Sequence, residues 1–390
     1  TPQHTMPAMT HPTKGLVCSS PDILESVALY HGQMKSPKVE AHTAASFPWT
    51  QPNAPDPLHL QCRGTPTGTL EPRLTEQAFR LCLSHLTNNT SSGEDGIPNE
   101  MIKHLPYELQ MLLFHLFRLL WRTGTTPREW QHSHTLLFLK RTPASENANY
   151  RPIAIHKTLF KLWTRFVTHV LQNYAEDYGL LTHSQEGNRR QRGAAHALQY
   201  ITLLLEDARR HHRDLITTDI DWKSAFNSID HCRLFLIMAQ LGFPADGIAV
   251  VRSIYTGATT SIVTAHGTTQ PLPIRRGVIQ GDTLSPLLFL IMLEPLLRWL
   301  EHGTGQHGYK LASLARRPGT PPQHTHTAAK AYADDSRLFA ETPGAMQTQL
   351  NKVGLYAAWS GMDVMAAKCK VSAILYSKRS HAAATDPTAV

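Results

Sequence analysis

The chain has 390 residues, 41% of them hydrophobic, which is enough for a sizeable core in one large domain or two ordinary ones. Lys and Arg outnumber Asp and Glu by 38 to 30, and the net charge of +8 makes a polyanion such as nucleic acid a reasonable partner. The five cysteines include no CxxC pair, which argues against a zinc site or a disulfide framework and favours an intracellular location. No apolar run approaches the ~20 residues of a membrane span, so no membrane partner is expected.

The first part of the chain is predicted to be a disordered segment followed by helices. Residues 1–70 are rich in Pro, Thr, His, Gly and Ser without a helical or strand period, which predicts a disordered N-terminal segment. Apolar residues recur on one face of residues 107–123, with Pro106 before them and Gly124 after them, which predicts a helix. A similar apolar stripe predicts a second helix over residues 157–173.

The second half of the chain contains the predicted strands. Runs of β-branched and apolar residues predict strands at residues 214–222, at 261–264 with a return near 272–275, and around 329–341. A helix is predicted after Ser285. An Arg-Arg-Pro-Gly-Thr-Pro-Pro stretch indicates a flexible insertion at residues 309–328, and a disordered tail is expected at residues 377–390.

Two groups of acids could carry chemistry. Residues 332–335 read Tyr-Ala-Asp-Asp, and adjacent acids repel unless a cation or solvent separates them. A solvated turn is the ordinary explanation, whereas the flanking strand-like residues suit a hairpin that projects carboxylates into a cleft. Asp219 and Asp221 would share one face of a strand, or they could simply cap the helix that follows.

These motifs resemble the palm of reverse transcriptases. Tyr-Ala-Asp-Asp is the signature of that family, and residues 221–231 resemble its first palm motif, in which a metal-binding Asp stands four residues before an Ala-aromatic pair. That spacing selects Asp221 over Asp219. Residues 276–286 look like the QG-x-x-x-SP motif of the family, and the order along the chain matches.

Motifs outside the palm resemble the LINE-type enzymes of this family. They are residues 92–100 (G-x-DGIP-x-E), 149–153 (NYRPI), 184–189 (a variant of S-Q-x-G-F-R) and 359–362 (WSG and Met) followed by Lys368. Glu186 and Asn188 stand where aromatic residues are usual, and Asn227 stands where Asp is usual. The resemblance covers about residues 75–376.

The resemblance implies an α+β right-hand polymerase fold with an antiparallel palm sheet packed on helices and the thumb largely absent. Fingers, with helices packing on the palm, are expected at residues 71–213 and the palm at 214–376. The implied function is RNA-directed DNA polymerase of a non-LTR retrotransposon, a nucleotidyltransferase cut from a longer polyprotein whose flanking domains are missing. Its implied partners are an RNA template, a DNA primer and dNTPs, and its implied location is the cytoplasm and nucleus.

The resemblance also assigns roles at the metal site. Asp221 and Asp334 would bridge two Mg²⁺ ions, or Mn²⁺, while Asp335 supports the site and the backbone carbonyl of Trp222 completes the oxygen ligands. Phe226 stands where the family places a ring under the sugar, which would exclude a 2′-hydroxyl and favour dNTPs. Packing in the core is an equally good explanation of Phe226.

Further residues are assigned to the nucleotide and the template. Lys140 and Arg151 would clasp the triphosphate from the fingers, since Arg forms a bidentate fork and Lys a point charge. Gln280 and Gly281 would approach the nascent base pair, and Lys368 would protonate the pyrophosphate leaving group. A basic run would contact the phosphates of the template, namely Arg189, Arg190 and Arg192. The same run could equally be a solvated surface patch.

Three alternatives remain open at this point. A degenerate or domesticated reverse transcriptase fold could bind RNA without synthesising DNA, although the intact acids argue against it. A group II intron maturase or an RNA-dependent RNA polymerase would share the palm, but Phe226 and the DGIP and NYRPI motifs favour the LINE-type interpretation. A structural protein without a site would leave the ordered motifs unexplained.

Overall fold

The structure is a computed structural model that describes residues 6, 8–38, 68–90, 92–302, 307–312 and 324–376. The α-helices in these residues are α1 Ser20–Met34, α2 Glu76–Ser84, α3 Asn99–Lys103, α4 Tyr107–Thr123, α5 Thr158–Asp177, α6 Ala194–His211, α7 His231–Gln240, α8 Ala245–Tyr255, α9 Leu284–Glu301 and α10 Pro343–Ser360. The strands are β1 Met9–His11, β2 Gly15–Val17, β3 His132–Leu139, β4 Tyr150–Ile155, β5 Leu215–Ile220, β6 Trp222–Lys223, β7 Thr259–Thr264, β8 Gly267–Thr268, β9 Leu272–Pro273, β10 Tyr309–Ala312, β11 His324–Thr327, β12 Ala329–Tyr332, β13 Asp335–Ala340, β14 Asp363–Val364 and β15 Lys370–Ile374. None of the helices formed by the described residues combines the length and apolar character that crossing a bilayer requires.

The described residues divide into two units that do not follow a single cut in the chain. The first contains the described residues up to Leu180 together with Phe226–Leu288, and the second contains Leu181–Ala225 and the described residues from Phe289 onward. This differs from the predicted linear division between residues 213 and 214. The reason is long-range pairing, because β7 pairs with β3 in the first unit and Gln185 bridges to Ala331 in the second.

The first unit is built on a sheet with the order β4-β3-β7-β8, in which β9 also pairs with β7. β3 lies between β4, its antiparallel neighbour, and β7, its parallel neighbour. Phe79, Phe117 and Phe166, from α2, α4 and α5, are fully buried with ring centroids 5.7 to 6.2 Å apart. The prediction of the α4 helix is confirmed, and Gly124 ends it with a φ of 58°.

Residues 8–38 form regular structure, so the disorder predicted for residues 1–70 is wrong over this part. β1 and β2 pair as a hairpin, and α1 follows them. Ile23 of α1 is completely buried in a cluster that includes Tyr150. Burial against distant residues stabilises a segment whose own sequence lacks a clear period. Residues 39–67 lie outside the described residues.

The second unit contains a four-stranded sheet with the order β12-β13-β5-β15, in which every neighbouring pair is antiparallel. The helix α10 packs against β5 and β13. It begins after Thr342, whose hydroxyl accepts a 3.2 Å hydrogen bond from the Ala345 N–H, and it ends at Gly361 with a φ of 71°. Phe339 of β13 joins a buried cluster with α6 and β10.

The ends of the predicted insertion are ordered. β10 and β11 pair antiparallel, so the prediction of a flexible insertion at residues 309–328 is wrong at both of its ends. Tyr309 is completely buried, and its hydroxyl donates a 2.6 Å hydrogen bond to Asp207 of α6, which anchors the hairpin to the unit. Residues 313–323 and the predicted tail at 377–390 lie outside the described residues.

Candidate active site

The two adjacent acids lie at a tight hairpin between β12 and β13. Tyr332 pairs with Asp335, so Ala333 and Asp334 form a two-residue turn. Ala333 has a φ of 54°, a left-handed conformation that a residue with a Cβ rarely adopts. Neighbouring groups must therefore hold the turn in place.

The side chain of Gln185 holds this turn. Its Oε1 accepts hydrogen bonds of 2.9 Å from the backbone N–H groups of Ala333 and Gly187, and its Nε2 donates to the Ala333 carbonyl at 3.2 Å. Gln185 is completely buried, and a Cβ on Gly187 would lie 2.2 Å from the Ala333 nitrogen. Sequence reasoning assigned Gln185 no role, although the S-Q-x-G pattern of residues 184–187 was the available signal.

Asp221 lies beside the hairpin because β5 pairs with β13. The register of that pair, extended by one residue, places Asp335 opposite Asp221. The pKa of Asp335 is raised, first because the surrounding chain removes part of its water and then because of the charges of Asp334, Asp221 and Asp219. Asp335 nevertheless remains exposed to solvent. A cation at this place would relieve the repulsion among the carboxylates.

Asp219 on β5 and Asp221, which follows that strand directly, have different partners. Asp219 accepts a bidentate pair of hydrogen bonds from Arg337, of 2.5 and 2.8 Å. Asp221 has a longer contact, 3.7 Å, to the ammonium group of Lys368, and both of these side chains are about 40% exposed. The charge of Asp219 is therefore already compensated by a neighbouring guanidinium, whereas that of Asp221 is available to another cation.

A groove of about 770 Å³ opens over these residues within the second unit. Ala197 and Leu198 of α6 form an apolar side, and Leu198 is 64% exposed. The lining also includes charged residues of both signs, namely Asp219, Asp221, Asp335, Lys330, Arg337, Lys368 and Lys370. This combination of acids, basic side chains and an apolar face suits a ligand that carries both phosphate groups and apolar rings.

Comparison with known proteins identifies the family. The family model described as reverse transcriptase (RNA-dependent DNA polymerase) matches residues 139–383. This chain belongs to the reverse transcriptase family. Membership confirms the resemblance inferred from the motifs and agrees with the mixed helices and sheets of a polymerase fold.

This chain has relatives among the polyproteins of mobile elements. It is 27% identical to the Pol polyprotein of the R2DM element of Drosophila melanogaster, covering 76% of this chain and 26% of that protein. It is 26% identical to the R2 polyprotein of Nasonia vitripennis (73% and 26% covered) and 24% identical to the RNA-directed DNA polymerase from mobile element jockey of Drosophila melanogaster (57% and 24%). The chain thus spans about a quarter of the length of these relatives. Apo telomerase from Candida tropicalis, truncated from its C-terminal domain, covers 65% of this chain and 52% of its own, with a TM-score of 0.45 and 12% identity.

The acids of this chain fit the hard divalent ions that the family implies. Asp221, Asp334 and Asp335 offer carboxylate oxygens, and the pKa of Asp335 is raised first by burial and then by the charges of the neighbouring acids. Trp222 lies on β6, which pairs with β14, while its side chain is buried. Among the described residues, the three aspartates are not a set whose ligand atoms all lie within 4.8 Å of one another, so a shared ion requires side-chain adjustment.

The remaining nucleotide-binding candidates lie in the first unit. Gly281 has a φ of 105°, a Cβ on it would lie 2.9 Å from the Ala154 carbonyl, and the Gln280 carbonyl accepts from the Ala154 N–H at 2.8 Å. The Gln280 segment therefore packs on β4, the strand that carries Arg151. Phe226 is half-buried, and its carbonyl accepts from the Val278 N–H at 2.8 Å.

Lys140 and Arg151 are both exposed and lie close together on the sheet of the first unit. Arg151 pairs with Phe138, and Lys140 follows the end of β3 directly. The Lys140 N–H donates to the Asn149 carbonyl at 2.7 Å. Two exposed cations on adjacent strands form a suitable anion-binding pair.

The basic run of residues 189–192 is only partly available. Arg189 is buried and donates hydrogen bonds to the carbonyls of Thr182 and Gln185, so its predicted contact with template phosphates is wrong. Arg192 is half-buried and lies 3.3 Å from a carboxylate oxygen of Glu186. Arg190 is the exposed member of the run. Arg189 instead supports the segment that holds the hairpin.

Proposed function

We propose that this chain is the polymerase core of a non-LTR retrotransposon reverse transcriptase, which extends a primer 3′-hydroxyl with dNTPs along an RNA template. The observation that carries this proposal is the position of Asp334 and Asp335 on a supported hairpin beside Asp221. Family membership and the relatives from R2 and jockey elements support it. The activity of the whole protein is part of the proposal, because the chain spans about a quarter of those relatives.

In this proposal Asp221 and Asp334 would hold two Mg²⁺ ions, for which Mn²⁺ could substitute. Asp335 and the backbone carbonyl of Trp222 add oxygen ligands of the kind these ions prefer. Bound ions of this type lower the pKa of a primer hydroxyl and neutralise the charge of a triphosphate. The Lys368 Nζ atom lies 3.7 Å from a carboxylate oxygen of Asp221. Lys368 is assigned to donate a proton to the pyrophosphate leaving group.

Residues of the first unit are assigned to the incoming nucleotide. Exposed Arg151 and Lys140 are assigned to the triphosphate, because Arg offers a bidentate fork to phosphate oxygens and Lys a point charge. We assign to Phe226 the exclusion of a 2′-hydroxyl and to Gln280 and Gly281 contacts with the nascent base pair. The partners that follow are an RNA template, a DNA primer and dNTPs.

The decisive test is Asp334→Asn, made in the chain extended by its native flanking sequence. This substitution keeps the shape of the side chain and removes a charge that the ions need, so primer extension on an RNA template should fall by orders of magnitude. Binding of primer and template should survive, because affinity for nucleic acid comes mainly from contacts of Lys and Arg with phosphate. Primer extension and equilibrium binding are measured on the same preparations.

Asp177→Asn is the matched control. Asp177 is a 43% exposed acid that pairs with Arg73, and its replacement should leave extension at the parental rate. Near-parental extension by Asp334→Asn would show that the catalytic assignment is wrong. A parent that binds template but shows no Mg²⁺-dependent extension would instead indicate the RNA-binding module considered above.

A further inference from the structure

Three side chains that commonly bind metals converge in the first unit. Among the described residues, Glu94, His132 and His134 form a set whose ligand atoms all lie within 4.8 Å of one another. Both histidines are half-buried, and Glu94 is exposed. Ligand atoms 2.0 to 2.1 Å from a tetrahedral ion lie about 3.4 Å apart, so side-chain rotation alone could close the remaining gap.

The two histidines are presented by a strand that is paired on both sides. Residues two apart on β3 share a face, which places the His132 and His134 rings together with centroids 5.4 Å apart. The Nδ1 atom of His132 lies 2.9 Å from the Thr259 hydroxyl on the neighbouring strand. A hydrogen bond at one ring nitrogen fixes the orientation of an imidazole and leaves the other nitrogen for a metal.

The loop that carries Glu94 is anchored on both sides of it. A Cβ on Gly93 would lie 2.4 Å from the His156 carbonyl, so the loop lies directly against the backbone that follows β4. The Thr158 hydroxyl donates a 2.6 Å hydrogen bond to the Ile97 carbonyl. Glu94 therefore projects from a short segment with little freedom, and its carboxylate is directed at the histidine pair.

The ligand types select the metal. Imidazole nitrogens suit Zn²⁺ and related transition-metal ions, whereas Mg²⁺ prefers oxygen ligands. Burial lowers the pKa of His132, and the charges of His134 and Lys157 lower it further, against the opposing effect of Glu94.

We propose that Glu94, His132 and His134 bind one Zn²⁺ ion, with water at the fourth position. The bound ion clamps the loop of residues 93–97 to β3. The cysteine pattern gave no sign of such a site, because its ligands are two histidines and a glutamate. Because none of these three residues is assigned a role in the polymerase site, the proposal stands independently of that assignment.

The test is a Zn²⁺ titration of the chelator-treated 390-residue chain. The parent should retain one tightly bound equivalent in equilibrium dialysis, which Glu94→Gln and His134→Gln should each lose. The control His115→Gln removes an exposed histidine of α4 and should retain that equivalent. Substituting Co²⁺ should produce the absorption of a tetrahedral ion in the parent and control, and excess Mg²⁺ should not displace it.

A second measurement separates metal loss from misfolding. Zn²⁺ should slow hydrogen exchange in residues 93–97 of the parent and the control and leave the two variants unchanged. The circular dichroism spectra of the metal-free parent, control and variants should coincide, because Glu94 is exposed and His134 only half-buried. The same number of tightly bound ions in the parent and in either variant would overturn the proposal, as would a parent without any tight site.

Discussion

At the scale of single residues, the contrast between Asp219 and Asp221 is set by their partners. Asp219 lies on β5 and Asp221 follows its last residue directly, and the motif spacing alone favours Asp221. The guanidinium of Arg337 binds both oxygens of Asp219, while Asp221 has a contact of 3.7 Å to Lys368. A carboxylate already held by a bidentate partner is a poor ion ligand, which favours Asp221 in that role.

Phe226 is the residue on which we expect sugar choice to depend. Replacing Phe226 with Val or Ala should let rNTPs be used while dNTP use falls little, because a smaller side chain leaves room for a 2′-hydroxyl. The measurement is primer extension by one enzyme preparation with each nucleotide set, so dNTP use serves as the internal control. Unchanged discrimination in the variant would show that the ring only packs in the core.

At the scale of elements, the hairpin that carries the acids depends on a segment distant in sequence. Gln185 satisfies both backbone polar groups of Ala333, which itself adopts a left-handed conformation. The segment also runs along β12, where the Glu186 N–H donates to the Ala331 carbonyl at 2.8 Å. The position of the acids is therefore a property of three packed segments rather than of the hairpin alone.

Gln185→Ala should displace the turn. Two buried N–H groups would lose their acceptor, and we expect the free energy of unfolding to fall by about 2–3 kcal/mol and primer extension by at least tenfold. Gln349→Ala is the control, since Gln349 is equally buried and donates to the His307 and Phe339 carbonyls, away from the turn. Urea unfolding should show similar destabilisation of both variants, with extension lost only in Gln185→Ala. Equal loss of extension in both variants would show that Gln185 contributes only to stability and does not position the turn.

At the scale of the whole molecule, each unit buries an acid whose pKa is raised. Burial raises the pKa of Asp282 in the first unit to about 6, although the Thr164 hydroxyl donates to it. Burial likewise raises the pKa of Glu294 in the second unit to about 7, against the opposing effect of Arg298, whose Nε lies 2.8 Å away. Both acids hold protons in the folded chain at pH values where the unfolded chain has released them.

The stability of the chain should therefore contain a component that falls as pH rises from about 5 to 7. The folded state binds more protons than the unfolded state in this window, and raising the pH then lowers the free energy of unfolding. Glu294→Gln should reduce the slope of the free energy of unfolding against pH by roughly 1 kcal/mol per pH unit. The control Glu129→Gln, at an exposed residue, should leave this slope unchanged. Urea unfolding of the three proteins across this range checks the slope. Parallel curves for the parent and Glu294→Gln would contradict the assignment.

The sequence by itself determined the family and the main local elements. Motif order identified a reverse transcriptase, because each motif is a short run of residues whose types and spacing can be matched directly. Apolar periodicity and the residues at its ends were enough for α4, since a helix is specified by neighbours three and four positions apart. Both signals are local, so they can be recognised without knowing what lies against them.

Only the tertiary structure decided which partners the candidate residues have. Arg337 and Asp219 are 118 positions apart, and Gln185 and Ala333 are 148 positions apart. Contacts over such separations depend on strand register and on burial against other segments, which periodicity does not encode. The same reason explains why Arg189 is buried despite its charged neighbours and why residues 8–38 are ordered despite their composition. The Glu94, His132 and His134 cluster likewise exists only because a loop and a strand meet.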